Sequence, residues 1–160
     1  TKINQELISE NISTKELSDA LYFSRVCSMI QGLELISKFS NDEDHNISIP
    51  EVLDNWSGGC IIRSNLLSEL KKEFGESNDV FNLNTIFSTL NKNRASISNV
   101  LQITTKYNIP TPVLSASLNW FNNVTSVDNP SNMIQAQRDY FGRHKVQLID
   151  SSNDINIDWD

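Results

Sequence analysis

The sequence has little glycine, proline or cysteine, with five, four and two residues in 160, and each shortage excludes a class of structure. The glycines do not form a G-x-G-x-x-G segment after a strand or a G-x-x-x-x-G-K-[ST] loop, so the usual backbone cradles for dinucleotides and nucleoside triphosphates are missing. The Gly58-Gly59 pair does not replace them. Two cysteines cannot build a disulfide framework, and neither has a His or second Cys at metal-ligand spacing, so no zinc site and no metal is assigned. Both Cys27 and Cys60 sit in apolar runs and are expected as reduced, buried thiols. Positive charge is also short: 13 Lys and Arg against 20 Asp and Glu leave a net charge of -7, which argues against broad nucleic-acid binding. No apolar run is long enough to span a bilayer, and the amino end has neither the basic nor the apolar part of a secretory signal. The chain therefore reads as cytoplasmic with no membrane partner, although it begins at Thr1 and is silent on anything upstream. No H-E-x-x-H or G-x-S-x-G pattern occurs, and no catalytic residue is assigned.

What is present is helical periodicity. Ser13-Thr14-Lys15-Glu16 is a capping box ahead of Leu17, Leu21, Val26, Cys27, Ile30, Leu33 and Ile36, which predicts one long helix over 17–39 as the spine. Ser48-Ile49-Pro50-Glu51 opens a short helix packed through Val52, Leu53 and Trp56. After the bend allowed by Gly58-Gly59, the residues Cys60, Ile61, Leu66, Leu67, Leu70 and Phe74 continue at helical spacing up to Gly75. Leu83, Ile86, Phe87 and Leu90 mark another helix, and Ala95, Ile97, Val100, Leu101 and Tyr107 the next, ending before Pro110. Pro112 opens a helix that buries Val113, Leu114, Leu118 and Phe121. Strand signal is confined to Val146–Ile149, so the expected fold is all-α with six or seven helices and an extended tail.

The chemistry is concentrated in Ile134-Gln135-Ala136-Gln137-Arg138-Asp139-Tyr140-Phe141-Gly142-Arg143-His144, where three potentially cationic side chains gather in an acidic protein. Pro130 suits a first helical turn with Asn129 or Asp128 as cap, and Gly142 suits the left-handed position past the end. Arg138 then offers a planar, bidentate donor to a phosphate or carboxylate, with His144 close by. The alternative is a helix end whose cations only complement the macrodipole. Elsewhere, Asp42, Glu43 and Asp44 beside His45 read as a solvated loop, and Arg63 as a partner of an internal carboxylate or backbone carbonyls. Trp56 and Trp120 read as core or interface anchors, whereas Trp159 on a polar tail wants a pocket, for which another subunit is one candidate.

The undecamer resembles the signature near the C-terminus of the decarboxylating 6-phosphogluconate dehydrogenase family. Trp56-Ser57-Gly58-Gly59-Cys60-Ile61-Ile62-Arg63-Ser64 resembles a second family segment. Asn108-Ile109-Pro110-Thr111-Pro112 with Ser115, Ala116 and Leu118 resembles a third, and Asp19-Ala20-Leu21-Tyr22 with Gln31-Gly32 a fourth. The segments keep the family's order between about residues 17 and 159 and correspond to the last third of such an enzyme.

The resemblance implies a multi-helix C-terminal domain over residues 1–148 for substrate binding and dimerisation, and an extended tail over 149–160. It implies that the NADP-binding domain, the base lysine and the general-acid glutamate lie in segments this chain does not contain. Arg138 and His144 are implied as substrate-binding residues that reach the partner subunit's site and hold 6-phosphogluconate, Arg138 at the phosphate. A homodimer is the implied assembly, NADP the implied cofactor, and the chain alone the implied inactive part of an enzyme that oxidises and decarboxylates 6-phosphogluconate to ribulose 5-phosphate. Three positions depart from the pattern: Ser57 stands where arginine is common, Val146 where an aromatic is frequent, and Asn156 where the tail often has histidine. A helical interaction module that keeps the scaffold without dehydrogenase activity is the alternative, and the coding region upstream of Thr1 separates the two.

Overall fold

The computed structural model describes residues 11–43, 45–75, 79–148 and 151–159. Its elements, in order, are α1 (Thr14–Asp42), α2 (Ile49–Ser57), α3 (Asn65–Phe74), a 3₁₀ turn (Val80–Asn82), α4 (Asn84–Lys106), α5 (Pro112–Thr125), α6 (Ser131–Gly142), β1 (Val146–Gln147) and β2 (Asp154–Ile155). The chain forms two compact units, residues 1–121 and 122–160.

In the first unit, α1 starts where the sequence signals it. The Ser13 hydroxyl accepts from Glu16 N at 3.2 Å, and the Glu16 carboxylate accepts from Ser13 N at 2.9 Å, which satisfies two of the free donors of the first turn. Ser48 caps α2 in the same way through Glu51 N. Between these caps, Ala20, Phe23, Val26, Cys27, Ile30 and Leu33 repeat at intervals of three and four and are all fully buried. They pack chiefly against α4, whose inward residues Ile86, Leu90, Ile97 and Val100 complete the stripe. The polar edge of this pair is tied by Asn99 to Glu16 at 2.8 Å and Ser96 to Asp19 at 3.1 Å.

The region expected as two helices across residues 83–107 is the single helix α4, because nothing between Leu90 and Ala95 breaks it: the intervening Asn and Lys residues are tolerated on an exposed helical face. Leu83 supplies no side-chain cap, and the Glu73 carboxylate from α3 takes its place, accepting from Thr85 N and from Ile86 N. At the other end, Asn108 adopts φ 56° and Ile109 precedes Pro110, which ends the helix there. α3 closes on Gly75 at φ 56°, a conformation that costs glycine little.

Residues 58–64 depart from the expected helical continuation. They form turns, so Cys60 is exposed and Ile61 is 99% exposed, against the expectation of a buried thiol and an inward isoleucine. The glycine pair and the late start of α3 at Asn65 turn these side chains outward. Cys27 is buried as expected, and burial pushes its thiol up to about 12, so it stays protonated and inert at neutral pH. Arg63 is exposed and is not the internal ion-pair partner expected; the guanidinium that serves this segment is Arg25, which donates to Ile62 O at 3.3 Å. Trp56 and Trp120 are half-buried against the core. Of the acidic loop, Asp42 and Glu43 are exposed, His45 lies 5.2 Å from the Phe39 ring, and Asp44 lies outside the described residues.

In the second unit, α6 is followed by a tight turn and the two-stranded antiparallel ribbon, in which Val146 faces Ile155 and Gln147 faces Asp154. The strand expected over 146–149 is thus two residues long, with Ile149 outside the described residues. No helix is long and apolar enough to cross a membrane among the described residues.

Candidate functional site

α6 begins where the sequence signals it. Pro130 already has helical dihedrals (φ -59°, ψ -15°), and the Asn129 carboxamide oxygen accepts from Ser131 N at 2.8 Å. The end of the helix differs from expectation. Gly142 remains helical, and the left-handed residue is Arg143 at φ 51°, ψ 42°.

Glycine is needed at 142 for another reason. A Cβ at this position would lie 2.7 Å from Nε2 and 2.8 Å from Cδ2 of His144, so the imidazole rests directly on the bare backbone of residue 142. The turn folds His144 back over the last turn of α6, on the side that carries Arg138. Ile134, Gln137, Arg138, Phe141, Gly142 and His144 line one shallow hollow of about 410 Å³. Its polar lining carries only hydrogen-bond donors or amphoteric groups: a guanidinium, a carboxamide and an imidazole. Such a lining suits an anion. Ile134 and the 82% exposed Phe141 give it an apolar rim.

The obstructing atoms at Gly142 belong to the far end of a side chain, and alanine favours helix over glycine. Gly142→Ala is therefore expected to leave α6 intact and to displace the His144 ring by about 1 Å or more, the shift that restores ordinary contact distance. A crystal structure of the variant, with its melting temperature, checks this; an unmoved imidazole would refute it.

The residue that sequence reasoning missed is Asp139. Only 1% of it is exposed, although it lies on a short helix between Arg138 and the 60% exposed Tyr140. Its Oδ1 accepts from Lys145 N at 2.8 Å, and its Oδ2 accepts from Ile157 N at 2.8 Å and from the Trp159 indole Nε1 at 3.0 Å. The Asn156 amide, with its nitrogen turned inward, donates to Asp139 Oδ1 at 2.9 Å and to Arg143 O at 3.0 Å. Burial alone would raise the Asp139 pKa. The bonds from Ile157 N, the indole and Lys145 N, together with the charge of Arg143, outweigh that and hold the carboxyl below its usual value.

Trp159, read as wanting a pocket for which another subunit is one candidate, has partners on its own chain while 45% of it stays exposed. It donates to Asp139 and meets the Tyr140 ring edge-on at 5.6 Å. Asn156, a departure from the family pattern, is one of the donors in this cluster, so the substitution still supports the tail. No local signal announces the cluster, since Asp139 is separated by 18 and 20 residues from two of its partners.

Among the described residues the only sheet is an antiparallel ribbon of two-residue strands, so they contain no parallel strand–turn–helix unit of the kind that faces a pyrophosphate. Among the described residues there is also no cluster of three or more His, Cys, Asp or Glu that could hold a metal ion.

The fold defines a helical domain whose hollow sets the Arg138 guanidinium and the His144 imidazole on one lining. The family model of the 6-phosphogluconate dehydrogenase C-terminal domain matches residues 2–159, and the chain belongs to this family. It is 32% identical over 161 residues to the decarboxylating 6-phosphogluconate dehydrogenase of Buchnera aphidicola subsp. Acyrthosiphon pisum, an alignment covering 99% of this chain and 34% of the relative. It is 34% identical over 148 residues to the enzyme of the same name from Staphylococcus epidermidis, covering 91% of this chain and 32% of that one. Among solved structures it is similar to 6-phosphogluconate dehydrogenase of Plasmodium falciparum, described in apo form and in complexes with its cofactor NADP+ and its substrate 6-phosphogluconate. The TM-score is 0.85 and the identity 32%, over 99% of this chain and 35% of that one. The chain thus spans about a third of the length of these relatives.

Proposed function

We propose that this chain is the substrate-side C-terminal part of a cytoplasmic, homodimeric 6-phosphogluconate dehydrogenase of the pentose phosphate pathway. The observation that carries the reading is that Arg138 and His144, six residues apart and separated by a helix end, line one hollow. Arg138 neutralises the phosphate of 6-phosphogluconate through its guanidinium fork, and His144 hydrogen-bonds the substrate beside it. The hollow is open, so it holds a ligand on one side only, in keeping with a site completed by a second surface. That surface belongs to the partner subunit.

The whole polypeptide transfers a hydride from the sugar acid to NADP, releases carbon dioxide from the keto intermediate and protonates the resulting enediol to ribulose 5-phosphate. NADP, the base and the general acid reside outside this chain, and no metal takes part. Within the reaction, Arg138 and His144 bind and orient; neither moves the proton. The domain organisation follows: a helical substrate and dimerisation domain over 1–148 and a tail over 149–160, of which Asn156, Ile157 and Trp159 fold back onto Asp139.

The test places Arg138→Ala and His144→Ala separately in the full-length protein. Arg138→Ala removes a charge-assisted contact and is expected to weaken 6-phosphogluconate binding by about 10-fold or more while leaving the KM for NADP unchanged. Unchanged substrate affinity in both variants rejects the assignment. Mixing Arg138→Ala with a variant defective in the upstream base is expected to restore activity in heterodimers, which tests the sharing of the site.

A further inference from the structure

His144 sits between two left-handed residues that are not glycine, Arg143 at φ 51° and Lys145 at φ 63°. Each such residue is disfavoured for an L-amino acid and persists only where its surroundings impose it. Here the surroundings are visible atom by atom. Arg143 N donates to Asp139 O at 2.8 Å, and Arg143 O accepts from Asn156. Lys145 N donates to Asp139 Oδ1 at 2.8 Å, and Lys145 O accepts from Gln135 Nε2 at 2.6 Å. All four backbone groups flanking His144 are engaged.

One of these four contacts also reaches Arg138. Gln135 Oε1 accepts from Arg138 Nη1 at 3.1 Å, while the same amide donates to Lys145 O. The partners fix the amide's orientation without ambiguity, because a guanidinium only donates and a carbonyl only accepts. Gln135 stands one helical turn before Arg138, so its side chain runs alongside the arginine and on to the turn beyond the helix. The residues nearest to it in size and chemistry lack one of the two tasks: glutamate cannot donate to Lys145 O, lysine cannot accept from Arg138, and asparagine is one methylene shorter.

We propose that Gln135 is a positioning residue that sets Arg138 and the His144 turn in register with each other, so that guanidinium and imidazole meet the substrate as one unit. The proposal rests on the reading of Arg138 and His144 as the substrate-binding pair. Gln135 itself need not touch the ligand, since it is absent from the lining of the hollow. It acts on affinity through the two residues that line it. Preorganisation of this kind lowers the ordering cost that binding otherwise carries.

The experiment uses the full-length enzyme with two variants. Gln135→Met keeps the stem and removes both polar contacts; Gln135→Glu keeps the acceptor for Arg138 and sets a negative oxygen against Lys145 O. Both are expected to raise the KM for 6-phosphogluconate by roughly 10-fold, Gln135→Glu the more, with the KM for NADP and the melting temperature little changed. In the Arg138→Ala/His144→Ala background, Gln135→Met is expected to have no further effect, since it acts through residues already removed. Crystal structures of both variants are expected to show His144 lifted from Gly142. Wild-type substrate affinity and an unmoved turn in both Gln135 variants, while Arg138→Ala and His144→Ala weaken binding, overturn the proposal. If instead Arg138→Ala and His144→Ala leave substrate affinity intact, the functional reading fails and the proposal falls with it, an outcome distinct from the failure of the Gln135 role alone, in which those two variants weaken binding and the Gln135 variants do not.

Discussion

Asp139→Ala is expected to release the C-terminal tail. The substitution leaves three donors, Lys145 N, Ile157 N and the Trp159 indole, facing an apolar methyl, and also removes an acceptor of the Asn156 amide. Between Leu148 and the chain end, the ties that remain among the described residues are the short ribbon, the edge of Tyr140 on Trp159, the Asn156 contact to Arg143 O and the local bonds from Ser151 N to Leu148 O and from Asn153 N to the Ser151 hydroxyl. A two-stranded ribbon of this length is not stable alone in water. Hydrogen exchange at Ile157 N and at the Trp159 indole is therefore expected to rise from protected to the rate of an unstructured peptide, and retained protection would refute the anchoring role.

The same anchor gives the tail a defined response to acid. The Asp139 carboxyl is held below its usual pKa in the folded state, so the unfolded chain binds its proton first as pH falls. The stability it contributes is fully present above the ordinary Asp value of about 3.9 and is lost as pH drops through the lower folded value. Docking of Trp159 is accordingly expected to persist at pH 5 and to fail on further acidification, which the indole N–H resonance reports. In Asp139→Asn that acid transition should vanish, because the amide carries no proton to gain; an unchanged transition would assign it to another group.

Phe23→Ala is expected to cost about 3–5 kcal/mol of stability, the range for emptying a buried aromatic site. Phe23 is wholly buried in α1, and its ring meets Phe121 of α5 edge-on with centroids 5.1 Å apart. Phe121 in turn stacks on Phe87 of α4 at 6.1 Å. The three rings join three helices of the first unit, so alanine at 23 forfeits both transferred area and an aromatic pair. Urea unfolding of the variant should show a lowered midpoint, and Leu35→Ala, at a position 70% exposed, should stay within about 0.5 kcal/mol of wild type. A small loss at Phe23 would mean that neighbouring side chains close the cavity.

The helices were legible wherever the signal is local. Ser13 with Glu16 and Ser48 with Glu51 cap α1 and α2 because a cap needs only three residues and the start of an apolar stripe. Pro112 opens α5, and the residues before Pro110 end α4, for the same local reason. Expectation and structure part where two signals compete. The polar run between Leu90 and Ala95 resembles a connection, but the apolar face resumes in phase after it and tertiary packing carries the helix through. At Cys60 and Ile61 the apolar run suggests burial, and the turn after the glycine pair points both outward.

The site divides in the same way. Arg138 and His144 were chosen from their side-chain chemistry and from the resemblance of their undecamer, and the structure brings both to one hollow. Gly142 carried the right residue for a different cause: the space its missing Cβ leaves for the imidazole, not a left-handed backbone. Asp139 and Gln135 gave no signal, since an acid and an amide on a polar helix read as solvated surface.

By itself the sequence determined the family, the helical class, the principal caps and breakers, and which side chains are fit to meet an anion, because each depends on residues within a few positions of one another or on a pattern shared with relatives. Only the tertiary structure decided which acid is buried and which amide bridges Arg138 to the His144 turn. It also decided that the tail closes onto its own helix end. Those contacts join residues that are far apart in the chain or point across a turn, and their energy comes from removing charged and polar groups from water onto partners that the fold must first bring within about 3 Å.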